Sequence, residues 1–441
     1  MTDPAPRRTL PQAAAAPTPS PFLLIGGHFA LALLSLALGS ALLPWVAADL
    51  ARGDIFAPRT FAVVHLFSLG VLGSAIFGAL HQFYPMALGV PLRSRRVGYL
   101  GLAAWTSGLL LLICGFLAWR PALLGAGWVG IFVAVGAVSW NLLPARRRTR
   151  VPDGARIGAY VTAGHSCLGL AMAIGLARIG DAAGWWTTDR LGLVAAHFHL
   201  GVLGFGTLTA VGVGSRMIPM FLLTGPTPSR PLRWIGPSLV AGLLIQGTGL
   251  VAGWPAVAAL GSALLFGSAL AIGLLLVRWW GKRNRPLNGG LQLIPAATLW
   301  LFAGTALGVT ALLVPERSFR LWGAYALAGL LGWLILLVLG VLFRILPHIS
   351  YLRLFGRRGG PVVPVDQVVH AGWTEAAGAL LPVALAILVG GVLLGSPAVA
   401  VTGGAVWLLG AALVLAVYVR MILLAYLPRL AGETSPASET P

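Results

Sequence analysis

The sequence predicts an all-α membrane protein in which twelve transmembrane helices form three four-helix units about a pseudo-three-fold axis. Composition, the spacing of apolar runs, and a glycine and proline pattern that recurs three times all point to it. Of 441 residues, 58% are hydrophobic and 9% charged, whereas soluble domains carry roughly 25% charged residues. Runs of about 20 apolar residues, enough to cross a bilayer, begin near positions 22, 60, 98, 123, 157, 191, 235, 257, 292, 320, 373 and 399.

The loops between these spans alternate in charge. Those after spans 2, 4, 6, 8 and 10 hold RSRR, ARRRTR, SRPLR, GKRNR and GRR, while the intervening loops hold only Arg52, Arg59, Arg120, Arg178, Arg190, Arg317 and Arg320. Cytoplasmic loops concentrate Lys and Arg, so the pattern predicts a bacterial inner-membrane protein with both termini cytoplasmic. The net charge of +19 is then accounted for by orientation and contact with anionic membrane lipid, and nucleic-acid binding is not expected. Residues 1–20, rich in Pro, Ala and Ser, read as a disordered tail and not a cleaved signal peptide. Residues 429–441 read as a second tail, which leaves 21–428 as the membrane domain.

Internal repetition defines its organisation. Aligned without gaps, the segments from His65, His199 and Leu327 superpose Gly70, Gly204 and Gly332; Gly78, Gly212 and Gly340; and Pro85, Pro219 and Pro347, at offsets of 134 and 128 residues. Arg216 matches Arg344. Each offset covers four spans, giving units of about 22–145, 157–280 and 292–428.

Cys114 and Cys167 lie in apolar runs outside any CxxC or CxxCH pattern, which excludes a disulfide scaffold, a thiolate metal cluster and covalent c-type haem. Walker A, HExxH and nucleophile-elbow motifs are missing. Asp49, Asp54, Asp181, Asp189 and Glu316 read as outer-loop residues and Glu375 as near an inner end, so no carboxylate lies clearly within a span. A proton pump or ion-coupled transporter, which needs a buried carboxylate, is therefore not expected.

Histidines carry the site. His65 and His199 are repeat-equivalent and fall about two turns from the outer ends of spans 2 and 6, roughly 8 to 12 Å deep at 1.5 Å rise per residue. Imidazoles inside a membrane are functional candidates, and haem iron takes one imidazole on each side of the porphyrin. The spacing predicts a bis-imidazole haem b between His65 and His199, in a slot opened by Gly70, Gly73, Gly201, Gly204 and Gly206; copper with a further ligand is the alternative. His197 is about 200° around the helix from His199, so the two cannot face one metal. His197 falls in register with Tyr325 and Val63. His165, with Cys167 and Met172 close by, is a candidate third ligand. His28, His81 and His348 suggest a weaker inner-leaflet site, while His348 and His370 also suit interfacial anchoring.

Twelve spans in three arcs, with histidines at "His65…Pro85" and "His197-Phe-His199…Pro219", resemble the catalytic subunit of the haem-copper oxidases, whose superfamily includes the nitric oxide reductases. The resemblance implies haems held between helices toward the outer leaflet, with a span-2 histidine as an axial ligand. The chain departs from that family in three places. Span 7, WIGPSLVAGLLIQGTGLVAG, lacks the copper histidine pair; span 10 holds only His348; and span 6 lacks the His-Pro-Glu-Val-Tyr pattern. The expectation is a divergent member without the binuclear oxygen-reducing centre, acting in electron transfer or in binding a diatomic gas such as nitric oxide or oxygen. A redox partner or small cytochrome would serve it, and proteins of nitric oxide tolerance of the NnrS type are an architectural analogue. If it is an enzyme, it is an oxidoreductase related to terminal oxidases or nitric oxide reductases. Copper handling or oxidase assembly without haem, and a channel or scaffold role, stay open.

Overall fold

The computed structural model describes residues 21–187, 190–225, 229–314, 319–350 and 369–426. The expected tails, the loop after span 10 and the acidic residues Asp189 and Glu316 lie outside the described residues. Among those described, twelve helices are long and apolar enough to cross a membrane. They are α1 (Phe22–Arg52), α2 (Pro58–Leu88), α3 (Arg95–Ala118), α4 (Pro121–Arg147), α5 (Gly154–Ala182), α6 (Leu191–Leu222), α7 (Arg230–Ala252), α8 (Pro255–Gly281), α9 (Leu293–Leu313), α10 (Phe319–Ile349), α11 (Ala371–Leu394) and α12 (Pro397–Leu423). The chain is a multi-pass all-α membrane protein.

The helices α2, α6 and α10 pack on one another at the centre, and the other nine surround them, with α12 returning to α1. Burial follows this order: 72% of the most apolar window of α2 and 78% of that of α10 is buried, against 33% for α3 and α4. Water-free helix association rests on close van der Waals approach at small residues, and the recurring glycines provide it. A Cβ at Gly70, Gly204 or Gly332 would come within 2.5, 2.5 or 2.7 Å of the Cβ of Ser35, Cys167 or Trp300. One register further, Gly78, Gly212 and Gly340 receive His28, Tyr160 and Leu293. Thus α1, α5 and α9 lie against α2, α6 and α10 in the same way three times.

The remaining helices form three tight hairpins, α3/α4, α7/α8 and α11/α12. Each turns through a left-handed residue, Trp119 (φ 49°), Gly253 (φ 69°) or Gly395 (φ 66°), two positions before the proline that opens the next helix. Proline suits that first helical position because its missing N–H has no intrahelical partner there. Within the hairpins, Gly127, Gly261 and Gly403 let backbone meet backbone: a Cβ would sit 2.6, 2.2 and 2.3 Å from the amide nitrogens of Leu112, Gln246 and Leu388.

Each central helix widens into a π-helical stretch at the same place, Leu66–Gly73, Leu200–Thr207 and Ala328–Ile335. Such wide turns are rare and concentrate at functional sites. In two of them a hydroxyl closes the wide ring. Ser74 Oγ donates to Leu69 O and accepts from the indole of Trp105, while Thr207 Oγ1 donates to Val202 O and accepts from Trp333. The stretches begin directly after His65 and His199.

Two carboxylates expected in outer loops lie instead within helices. Asp49 and Asp181 occupy the last turns of α1 and α5, both with side chains 5% exposed; Arg59 holds Asp49 through two hydrogen bonds, and Arg178 lies 2.8 Å from Asp181. A buried carboxylate left unpaired costs several kcal/mol, so both stand as neutralised pairs at the helix ends and not as free ion carriers.

Gly204→Ala forces its Cβ into Cys167 and is expected to destabilise by about 1–3 kcal/mol. Gly201→Ala meets nothing within 4 Å and is expected to leave stability intact. Thermal unfolding of the two variants in one detergent compares them directly.

Candidate functional site

Five histidines each set Nδ1 against a backbone carbonyl, four of them on their own helix. The Nδ1 atoms of His65, His81, His165 and His199 lie 2.8, 2.8, 2.8 and 2.7 Å from the carbonyl oxygens four residues back, at Phe61, Phe77, Val161 and Ala195. His197 Nδ1 instead reaches across to Ala171 O on α5, at 2.8 Å. A carbonyl only accepts, so each Nδ1 carries the proton and each Nε2 keeps a lone pair. That is the tautomer in which an imidazole ligates a metal or accepts a hydrogen bond.

The rings meet in pairs across the boundaries between units. His65 on α2 faces His197 on α6, with ring centroids 6.1 Å apart and planes inclined by 40°. Across the next boundary, the Tyr325 hydroxyl on α10 donates to His199 Nε2 at 2.9 Å. At the third, the corresponding positions hold Leu327 and Val63, both buried and apolar. The structure thus sets His65 beside His197, and His199 beside Tyr325, in place of the expected pairing of His65 with His199. Rotation about a three-fold axis carries a residue into the next interface, so equivalent residues away from the axis face different neighbours. The opposed directions expected of His197 and His199 are found: one ring is turned to α5 and α2, the other to α10.

Aromatic rings surround the His65–His197 pair. Phe116 lies 4.7 Å from the His65 ring, and Phe61 stacks on Phe116 and Trp119 at 5.7 and 6.2 Å. Near His197, a Cβ at Gly175 would lie 3.5 Å from the imidazole Cε1. Trp128 is fixed by its indole donating to Met172 O.

His165 does not join this group, contrary to the expectation of a third ligand. It sits with His28 and His81 around Phe77, whose ring is 6.0 Å from His28 and 5.9 Å from His165. The His28 and His81 rings stack at 5.4 Å with planes 17° apart. An inner group of imidazoles thus forms, but its third member is His165; His348 is exposed at the end of α10. Cys167 is spent on packing against Gly204. Among the described residues, no group of three or more His, Cys, Asp or Glu is arranged to hold a metal ion.

The His199–Tyr325 pair lines a cleft of about 820 Å³, its open mouth included, between α6, α7, α8, α9 and α10. Sequence reasoning missed most of this site. Gln246, Ser262 and Trp322 line it beside the pair, and a lone glutamine in span 7 was the visible signal. The chain matches no protein-family model and no curated protein.

A double-mutant cycle tests the pairing. His199→Leu and Tyr325→Phe are expected to couple by about 0.5–1.5 kcal/mol, the net worth of a hydrogen bond. His65→Leu and Tyr325→Phe, which share no partner, are expected to add within about 0.5 kcal/mol. Unfolding free energies of the single and double variants give both values.

Proposed function

We propose that the chain holds a redox cofactor between His65 and His197, with haem b the first assignment and electron transfer the role. The proposal includes the bacterial inner membrane, with the basic helix ends and both termini cytoplasmic, and a relation in architecture to the haem-copper oxidase catalytic subunit. A redox partner or small cytochrome would then approach from the outer face. The observation that carries it is the paired imidazoles: both Nδ1 atoms are occupied by backbone carbonyls, both Nε2 atoms keep lone pairs, and the centroids are 6.1 Å apart. Two imidazoles ligating one metal at about 2 Å through nitrogen place their ring centroids about 6 Å apart, so the donor set fits.

Haem supplies one-electron chemistry at a potential set by its axial ligands. His65 and His197 would both be taken up in holding such a group, which would favour electron transfer over binding of nitric oxide or oxygen. A second reading is a copper ion in the same place. It is favoured by Phe116, which packs 4.7 Å from His65 where a macrocycle would need room and a bare ion would not.

The absorption spectrum of the detergent-purified protein tests both readings. Haem gives a Soret band that shifts on dithionite reduction; His65→Ala and His197→Ala each abolish it or convert it to high spin, and His199→Ala leaves it in place. A colourless protein with one copper per chain, lost in the same two variants, supports the ion. Protein with neither, or with a spectrum that responds to His199→Ala and not His197→Ala, overturns the site.

A further inference from the structure

The cleft beside His199 is built differently from the imidazole pair on the other side of α6. Its mouth opens sideways: Phe266 on α8 and Val309 and Leu312 on α9 line it and are 44%, 36% and 46% exposed on membrane-spanning segments, so it faces the hydrocarbon. The walls are aromatic, with Trp300, Trp322 and Trp333. Lipid chains would satisfy such walls, but they would not satisfy the polar atoms that line them.

Those atoms are specific. Gln246 is 6% exposed, and its Nε2 donates to Ser262 Oγ at 2.8 Å, while the Ser262 hydroxyl donates to Ala258 O. This chain of donors fixes the amide with Oε1 unpartnered. Trp322 Nε1–H is likewise buried without an acceptor. Tyr325 uses its proton on His199 Nε2, which leaves its oxygen as an acceptor. An unmade hydrogen bond in a water-free site costs about 1–3 kcal/mol, and buried polar groups ordinarily have partners. The cleft is thus lined by residues carrying two acceptors, Gln246 Oε1 and Tyr325 Oη, about 9 Å from their helix ends, and one donor, Trp322 Nε1–H, about 4.5 Å from its helix end, at 1.5 Å per residue.

We infer that this cleft binds the ring of a membrane quinol. A lipid-soluble ring bearing hydroxyls donates to Gln246 and Tyr325, accepts from Trp322, stacks on indole, and leaves its isoprenoid tail in the bilayer through the mouth between α8 and α9. A phospholipid acyl chain has nothing to offer the three polar atoms. The site stands whether or not the His65–His197 pair holds a cofactor.

The test uses the full chain in phosphatidylethanolamine and phosphatidylglycerol nanodiscs, with a decyl-substituted benzoquinol kept reduced as the probe. Retained quinol per protein is measured after washing, and affinity by quenching of tryptophan emission. Saturable binding of one quinol per chain is expected. Gln246→Leu should weaken it about three- to tenfold, the worth of one hydrogen bond. Val309→Trp, which fills the mouth from the lipid side, should abolish it, whereas Leu394→Trp, exposed on α11, should not change it. The spectrum of Val309→Trp is expected to match the parent protein, so failure here is separable from failure of the cofactor reading. No saturable uptake, uptake unchanged by both Gln246→Leu and Val309→Trp, or exclusive retention of phospholipid overturns the inference.

Discussion

The closeness with which α1, α5 and α9 lie on the three central helices governs the rest of the structure. Lipid offers no hydrophobic drive for one apolar helix to leave it for another, so contact must be won by proximity. The glycines at 70, 204 and 332 and at 78, 212 and 340 create that proximity. They also hold the central helices in a common register, which brings the residues just ahead of each π-helical stretch to one level. The widened turns then shift those residues around the helix relative to the regular turns below. Site geometry is a product of the packing, and the imidazoles occupy directions that the packing has already set.

Much of this was legible in the sequence. Twelve apolar runs became twelve helices because length and composition leave a membrane segment few alternatives. Glycine and proline recurred at fixed offsets because a repeated backbone contact demands the same small residue each time. His65 and His199 were visible as rare intramembrane imidazoles, and His197 with Tyr325 as their neighbours in register. The partnering was not legible. Repetition in one dimension says which residues are alike, and a rotation axis decides which unlike residues meet; His65 therefore finds His197, and His199 finds Tyr325. Asp49 and Asp181 were hidden for another reason. A carboxylate near a helix end reads as a loop residue until the arginine that neutralises it, ten residues ahead in one case and three behind in the other, is seen beside it.

The histidines illustrate how a membrane interior disciplines polar groups. Four of them return one proton to their own helix, and His197 gives its proton to α5. Each ring is thereby fixed in tautomer and orientation before any ligand is considered. What distinguishes the outer pair from the group around Phe77 is neighbourhood. His65 and His197 confront each other across two units, while His28 and His81 lie stacked face to face, an arrangement that turns edges, and hence lone pairs, away from a common point.

The three unit boundaries are not equal, and the order in which ribosomes deliver the helices makes that matter. The two boundaries with polar residues join α2 to α6 and α6 to α10, neighbours in order of synthesis. The third, where Leu327 and Val63 stand in place of the polar pair, closes only when α12 comes back to α1. Insertion can therefore assemble each polar pocket while the ring is still open on one side. Closure then brings the Trp407 indole of α12 onto Ser40 Oγ of α1 at 3.1 Å, so one buried hydrogen bond is matched only when the ring shuts.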